Sequence, residues 1–182
     1  NNLTNEKAAL NTIDDYLSQK IAPYWSIDDI NGTNHKSTDY YKSNLTLIEF
    51  FHTDCPACNT QIPALEEFHS NYSSDINIIS VGGYNLHGEK DNLSDIQNFV
   101  SEHNVSWTYL YDEEASLISS FFEEIGYPSW VLLEGDIGTG KAQIVSTSKG
   151  TKSYDSLVDM ITNYPETYNI TQPLDGILEN MY

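Results

Sequence analysis

Leu45-Thr46-Leu47-Ile48-Glu49-Phe50-Phe51-His52-Thr53-Asp54-Cys55-Pro56-Ala57-Cys58 is the stretch whose reading decides the fold. Residues 45–51 form a near-continuous apolar run, the mark of a strand buried on both faces. Cys55 follows four residues later, and residues 56–70 read as a helix with Ile62, Leu65 and Phe68 inward and Pro63 as an expected kink. A strand, loop and helix in that order place Cys55 at the first helical turn. Unpaired N–H groups and the helix dipole there favour a thiolate. Cys58 lies one turn further on, more buried, placed to resolve a mixed disulfide formed at Cys55. Pro56 suits the first helical position, which has no hydrogen bond to lose. With Ala57 it completes the Cys-Pro-Ala-Cys frame.

Working outward, the same alternation continues. Residues 5–21 place Leu10, Ile13, Leu17 and Ile21 on one helical face, and 22–27 read as a short strand before a turn at Asn31-Gly32. Residues 76–81 form a second buried strand, stopped by Gly82-Gly83. Ser94 to Gln97 has capping-box spacing and opens a helix with Ile96, Phe99 and Val100 inward. A strand near 107–111 precedes a helix carrying Ile118, Phe121, Phe122 and Ile125, with Gly126 as its expected C-cap. Residues 129–133 and 143–146 read as strands around a Gly-rich turn, and Tyr154, Leu157, Val158 and Ile161 mark a last helix. The class is α/β with a partly parallel sheet. We expect an N-terminal helical extension over 1–21, one domain over 22–163 and a tail over 164–182.

Composition excludes several functions. Of 182 residues, 27 are acidic and 8 basic, a net charge of −19, and every basic residue is a lysine. That balance argues against nucleic acid and against anionic membrane surfaces. No apolar run reaches the ~18 residues of a membrane span. The two cysteines are too few and too close for a disulfide framework, and no second ligand pair completes a zinc site, so no metal is expected. Seven Asn-x-Ser/Thr sequons occur, at Asn2, Asn31, Asn44, Asn71, Asn92, Asn104 and Asn169. That is about double the number expected by chance. With a start at Asn1 rather than Met, they suggest a secreted or anchored glycoprotein lacking an upstream segment. His35, His69 and His103 share no spacing and read as surface residues.

Glu49 is the second chemical clue. A carboxylate inside a buried run has a raised pKa and could exchange a proton with the resolving thiol. Glu49 stands six positions before Cys55, Pro63 stands five after Cys58, and Gly126-Tyr127-Pro128-Ser129 leads into an apolar strand. Together these resemble the thioredoxin superfamily, with its buried acid, kink proline and cis-proline loop facing the dithiol. The resemblance implies a thioredoxin fold, a central mixed sheet flanked by helices, over roughly residues 20–163. It also implies a cis bond at Pro128, with Tyr127 and Pro128 framing the substrate chain.

Ala22-Pro23-Tyr24-Trp25 through Asn31-Gly32, and the 70 positions from Cys58 to Pro128, are similar to TlpA/ResA-like oxidoreductases. The extra length reads as the helix-containing central insertion at 84–112, which that group shares with peroxiredoxins. The resemblance implies an extracytoplasmic thiol–disulfide oxidoreductase, often membrane-tethered. It would be monomeric, exchange with protein thiols and disulfides, be fed by a membrane redox partner, and need no cofactor beyond a redox-active Cys55–Cys58 disulfide.

The chain departs from the pattern before Cys55, where His52-Thr53-Asp54 stands in place of a Trp. Asp54 should oppose a thiolate and a protonated His52 should assist it, so both join Pro56 and Ala57 as tuning residues. Glu89 reads as a solvated loop carboxylate. Three other readings compete. A peroxiredoxin would carry Thr or Ser at His52 and Pro at Ile48. A copper carrier would use both thiols with His52 or His87, usually at wider cysteine spacing. A binding or sensing module with a structural disulfide would require neither Glu49, Pro63 nor Pro128.

Overall fold

The computed structural model describes residues 21–43, 45–83 and 90–163. The expected helix over 5–20, the tail, Asn44, His87 and Glu89 lie outside the described residues. Ile21, the last residue of that expected helix, instead bridges Gln143.

A small antiparallel hairpin of β1 (Ser26–Asp28) and β2 (Asn34–Lys36) opens the described chain. Its turn is held by the Asp29 carboxylate, which accepts from the Asn31 and Thr33 N–H groups, while Gly32 takes φ +84°. The strand expected at 22–27 therefore starts later. A one-turn helix α1 (Ser37–Tyr40), without a sequence signature, leads to β3 (Leu45–Phe50). Then come α2 (Pro56–Tyr72), β4 (Asn77–Gly82), α3 (Leu93–His103), β5 (Thr108–Tyr111), α4 (Ser116–Phe121), β6 (Ser129–Asp136), β7 (Lys141–Lys149) and α5 (Tyr154–Thr162).

The main sheet runs β5-β4-β3-β6-β7. β3, β4 and β5 are parallel, and β6 joins β3 antiparallel and forms a hairpin with β7. All six residues of β3 are buried, as a central strand covered on both sides must be. Strand alternation sorts its side chains. Leu45, Leu47 and Phe51 pack in one core cluster with Cys58, Ile62, Leu65, Phe68, Ile96, Phe99, Trp107, Tyr109, Trp130 and Leu157. Ile48 and Phe50 enter a second cluster with Ile79, Val81, Leu110, Leu117, Ile118, Val131 and Leu133. The first face carries α2, α3 and α5, and the second carries α4. Glu49, between Ile48 and Phe50, shares the parity of the first face, the one that receives Cys58.

Two helix boundaries differ from the sequence reading. The capping box of α3 is Asn92 with Asp95, two residues before the Ser94–Gln97 pair, because Asn and Asp perform the same reciprocal bonding. α4 ends at Phe121, and Phe122 is extended at φ −133°, so Ile125 lies beyond the helix and Gly126 does not cap it. Phe121 and Phe122 both set their rings against Phe50, at centroid distances of 6.1 and 6.3 Å. The β6–β7 hairpin is longer than expected, and its turn is held by Asp136, which accepts from Gly138 N–H and Thr139 Oγ1.

Candidate active site

Cys55 is the N-cap of α2, in extended conformation at φ −85°, with Pro56 in the first turn. Its sulfur accepts the Cys58 N–H at 3.2 Å, so an otherwise orphaned donor of the helix start points at Sγ. Cys55 is half-buried, whereas Cys58 is 1% exposed, and both thiols are free. Burial pushes the Cys58 thiol up, and the neighbouring Cys55 and Glu49 charges add to the rise. The loop before the dithiol is tied by Asn59, whose Nδ2 donates to Thr53 O and Cys55 O at 3.3 and 3.0 Å. His103 on α3 holds the other end of Asn59 at 2.9 Å, so it is a strut rather than a free surface residue.

Glu49 is 2% exposed, flanked in register by Ser80 on β4 and Trp130 on β6. Burial raises its pKa from 4.5 to about 7, while a 2.6 Å hydrogen bond from Ser80 Oγ holds it down. Its other oxygen, Oε1, has no hydrogen-bond partner among the described residues. Glu49 and Cys58 thus meet on one sheet face, two acids of raised pKa in a desolvated setting.

The Tyr127–Pro128 peptide bond is cis, and Pro128 is buried, its carbonyl accepting the Gly150 N–H at 2.8 Å. Because Ser129 pairs with Phe50, the Tyr127-Pro128 loop lies beside the end of β3 from which the Cys55 loop departs. Tyr127 and Cys55 pack on the same core cluster, and the Tyr127 ring lies 6.1 Å from that of His52.

His52, expected to tune the dithiol, lies buried in the loop before it. It is 2% exposed, and its Nδ1 accepts the Asp54 N–H at 3.1 Å, so Nε2 carries the ring hydrogen. A protonated His52 assisting Cys55 would have to give up that bond. Nε2 lies 3.1 Å from Asp91 Oδ1 but off the line of a hydrogen bond. Asp91 is itself 3% exposed and accepts from Thr53 N–H at 3.0 Å and from Thr53 Oγ1. Asp54, by contrast, is exposed. It stands on a cleft of about 350 Å³ whose lining includes Asp91, Asp95, Glu102, Asn59 and Lys90. Lys90 is engaged by Glu114 at 2.6 Å, which leaves the cleft acidic.

Among the described residues, no group of three or more His, Cys, Asp or Glu side chains is arranged to hold a metal. No described helix is long and apolar enough to cross a membrane.

A profile of the AhpC/TSA family matches residues 19–125, more than half of the chain. The chain belongs to the AhpC/TSA family. This AhpC/TSA domain has the thioredoxin fold, as its likeness to solved structures bears out. StoA from Bacillus subtilis superposes with a TM-score of 0.62 at 17% identity, over 78% of this chain and 98% of that one. A secreted disulfide oxidoreductase of Mycobacterium tuberculosis, described as homologous to DsbE of E. coli, gives 0.61 at 16% identity, over 76% and 95%. The thioredoxin domain of a thiol–disulfide oxidoreductase from Bacteroides vulgatus gives 0.63 at 17%, over 80% and 95%. A search of curated proteins found no match.

Ser80, which donates to Glu49, Trp107, which donates to Ser80, and Asp91 carry no mark of a site residue in the sequence. Ser80 was legible only as a polar residue inside the buried run 76–81. Asp91, by contrast, meets residues 52 and 53 only through the approach of the α3 start to the β3–α2 loop, and nothing local signals it.

Proposed function

We propose that this chain is an extracytoplasmic thiol–disulfide oxidoreductase acting on protein substrates through Cys55 and Cys58. The observation that carries the reading is the pairing of a half-buried, helix-capping Cys55 with a buried Cys58 on the sheet face of Glu49. In the reducing direction Cys55, as thiolate, attacks one sulfur of a substrate disulfide and expels the other as thiolate. Cys58 then gives its proton to Glu49, and its thiolate attacks Cys55 Sγ. The two substrate thiolates take one proton back from Glu49 and one from water, so the substrate leaves as a dithiol and the protein gains the Cys55–Cys58 disulfide. Two electrons pass from protein to substrate, and a membrane redox partner would restore the dithiol. The oxidising direction runs the same steps backwards.

Tyr127 and Pro128 frame the substrate chain, while Pro56, Ala57, His52 and Asp54 tune the dithiol. The exposed sequons Asn31, Asn71, Asn92 and Asn104 support a compartment outside the cytoplasm, and one structural neighbour is described as secreted.

In a turnover assay on a disulfide-bonded protein, Cys55→Ser abolishes exchange and Cys58→Ser accumulates a mixed disulfide. Full activity in both variants would make the Cys55–Cys58 bond a structural staple. Peroxide consumption by Cys55 alone would assign a peroxidase instead. The reduction potential of the pair gives the direction, near ~−270 mV for a reductant and near ~−120 mV for an oxidant.

A further inference from the structure

Behind Glu49 runs a buried hydrogen-bond chain that the exchange reaction as described above does not use. Trp107 Nε1 donates to Ser80 Oγ at 2.8 Å, and Ser80 Oγ donates to Glu49 Oε2 at 2.6 Å. Strand register assembles it: Ser80 faces Glu49 across β3 and β4, and Tyr109, two residues after Trp107, faces Ser80 across β4 and β5. Trp107 and Tyr109 therefore project to the same side as Ser80 and Glu49.

The direction of the chain follows from donor chemistry. An indole N–H can only donate, so Ser80 must meet it with a lone pair. The single hydroxyl hydrogen is then left for Glu49 Oε2. A proton on Oε2 would turn that hydrogen away and break the 2.6 Å bond. The Tyr109 hydroxyl is the other group within reach of Ser80, which pulls its pKa down against burial, but it forms no hydrogen bond with Ser80, whose hydrogen lies on Glu49. Oε1, which has no partner, is free to take a proton.

We propose that Ser80 and Trp107 are positioning residues that fix Glu49 Oε2 as the permanent acceptor and reserve Oε1 as the atom that exchanges the proton of Cys58. The inference rests on the oxidoreductase reading. During resolution the Cys58 S–H bond breaks, the proton goes to Oε1, and the thiolate electron pair forms the bond to Cys55 Sγ. Ser80 and Trp107 keep their hydrogens throughout.

The titratable groups that feel the Glu49 charge are Cys58 from α2 and Tyr109 from β5, while Glu66 from α2 acts on Tyr109 and His69 from α2 sets its ring 5.6 Å from that of Trp107. Burial raises Tyr109 well above its usual value, and Glu66 has a buried oxygen without a partner. No described lysine or histidine forms an ion pair with Glu49. The Ser80 hydroxyl is thus the group that steadies the carboxylate, consistent with its lowering effect against burial.

The test follows release of a thiol from the mixed disulfide at Cys55 between pH 5 and 9, in the full chain. The wild-type rate rises through the titration of Glu49. Ser80→Ala moves that midpoint upward by about one pH unit, the value of one hydrogen bond to a charged group. Ser80→Thr restores it, which a merely structural loss would not.

Infrared difference spectra, wild type minus Glu49→Gln at pH 5, add a readout independent of turnover. The carbonyl of protonated Glu49 is Oε2, bonded to Ser80, so its stretch moves to higher frequency in Ser80→Ala. Should Ser80→Ala not fold, Trp107→Phe carries the test, because an unheld hydroxyl gives two carbonyl bands. Superimposable profiles and bands for these variants, with Glu49→Gln still altering the profile, would overturn the proposal. A profile indifferent to Glu49→Gln would overturn it together with the proton role of Glu49, while the Cys55 and Cys58 tests would still stand.

Discussion

Replacing Glu49 by Gln should make folding stability less dependent on pH, by an amount that follows from burial alone. In the folded protein Glu49 titrates at about 7, against 4.5 for the ordinary carboxyl. The folded state therefore holds its proton more tightly than the unfolded chain. Stability is full below pH 4.5 and falls as pH rises, levelling off above 7, where the buried charge exacts its whole cost. At about 1.4 kcal/mol per pH unit, a rise of roughly two and a half units is about 3 kcal/mol. Gln occupies the same volume and still accepts from Ser80. Its amide meets no partner at the Oε1 position, a penalty that does not vary with pH and drops out of the comparison.

The assay is urea unfolding of the reduced protein with excess phosphine, at intervals from pH 4.5 to 8, for wild type and Glu49→Gln. The variant should gain about 3 kcal/mol relative to wild type across that range, chiefly between pH 5 and 7. A difference constant to within about 0.5 kcal/mol would refute the reasoning, since a carboxyl with an ordinary pKa gives no such slope.

The acidic cleft beside Cys55 and the net charge of −19 should order small disulfides by charge, with dicationic cystamine reacting fastest, neutral hydroxyethyl disulfide next and dianionic dithiodiglycolate slowest. The order should collapse near 1 M salt, where screening acts within about 3 Å, and equal rates at low salt would remove the effect. Asp91→Ala leaves the Thr53 N–H without its acceptor and should cost about 2–4 kcal/mol by denaturant titration, whereas a surface carboxylate would cost almost nothing. Gly83→Ala forces a Cβ into the Asp112 carbonyl oxygen at φ +146° and should destabilise by more than about 2 kcal/mol. Gly140→Ala, at φ +67° in open space, should cost about 1 kcal/mol, and equal losses at both sites would contradict the contact argument.

Much of the fold is legible in the chain because burial writes itself as local pattern. The run 45–50 is a strand buried on both faces, and Ile62, Leu65 and Phe68 face inward from α2. Helix ends were less legible. Asn92 with Asp95 caps α3 by the same bonds that Ser94 and Gln97 suggest, and two overlapping signals cannot be ranked without the backbone. α4 stops at Phe121, and Phe121 and Phe122 both pack on Phe50, a long-range contact with no local mark.

The site divides along the same line. Sequence alone determined the groups on which the proposed chemistry rests: the Cys55–Cys58 spacing, a helix start beneath the first thiol, and an acid inside a buried strand whose desolvation follows from its neighbours. Each is a property of a dozen consecutive residues. Only the tertiary structure decided what each group meets. Parallel register sets Ser80 beside Glu49 and brings Trp107 to Ser80. Docking of the α3 start against the β3–α2 loop brings Asp91 to His52 and Thr53, while the Asp54 N–H occupies Nδ1 of the buried His52 ring. Such contacts join residues tens of positions apart, and no spacing rule connects them. Hydrogen bonds act over about 3 Å in space, whatever their separation along the chain.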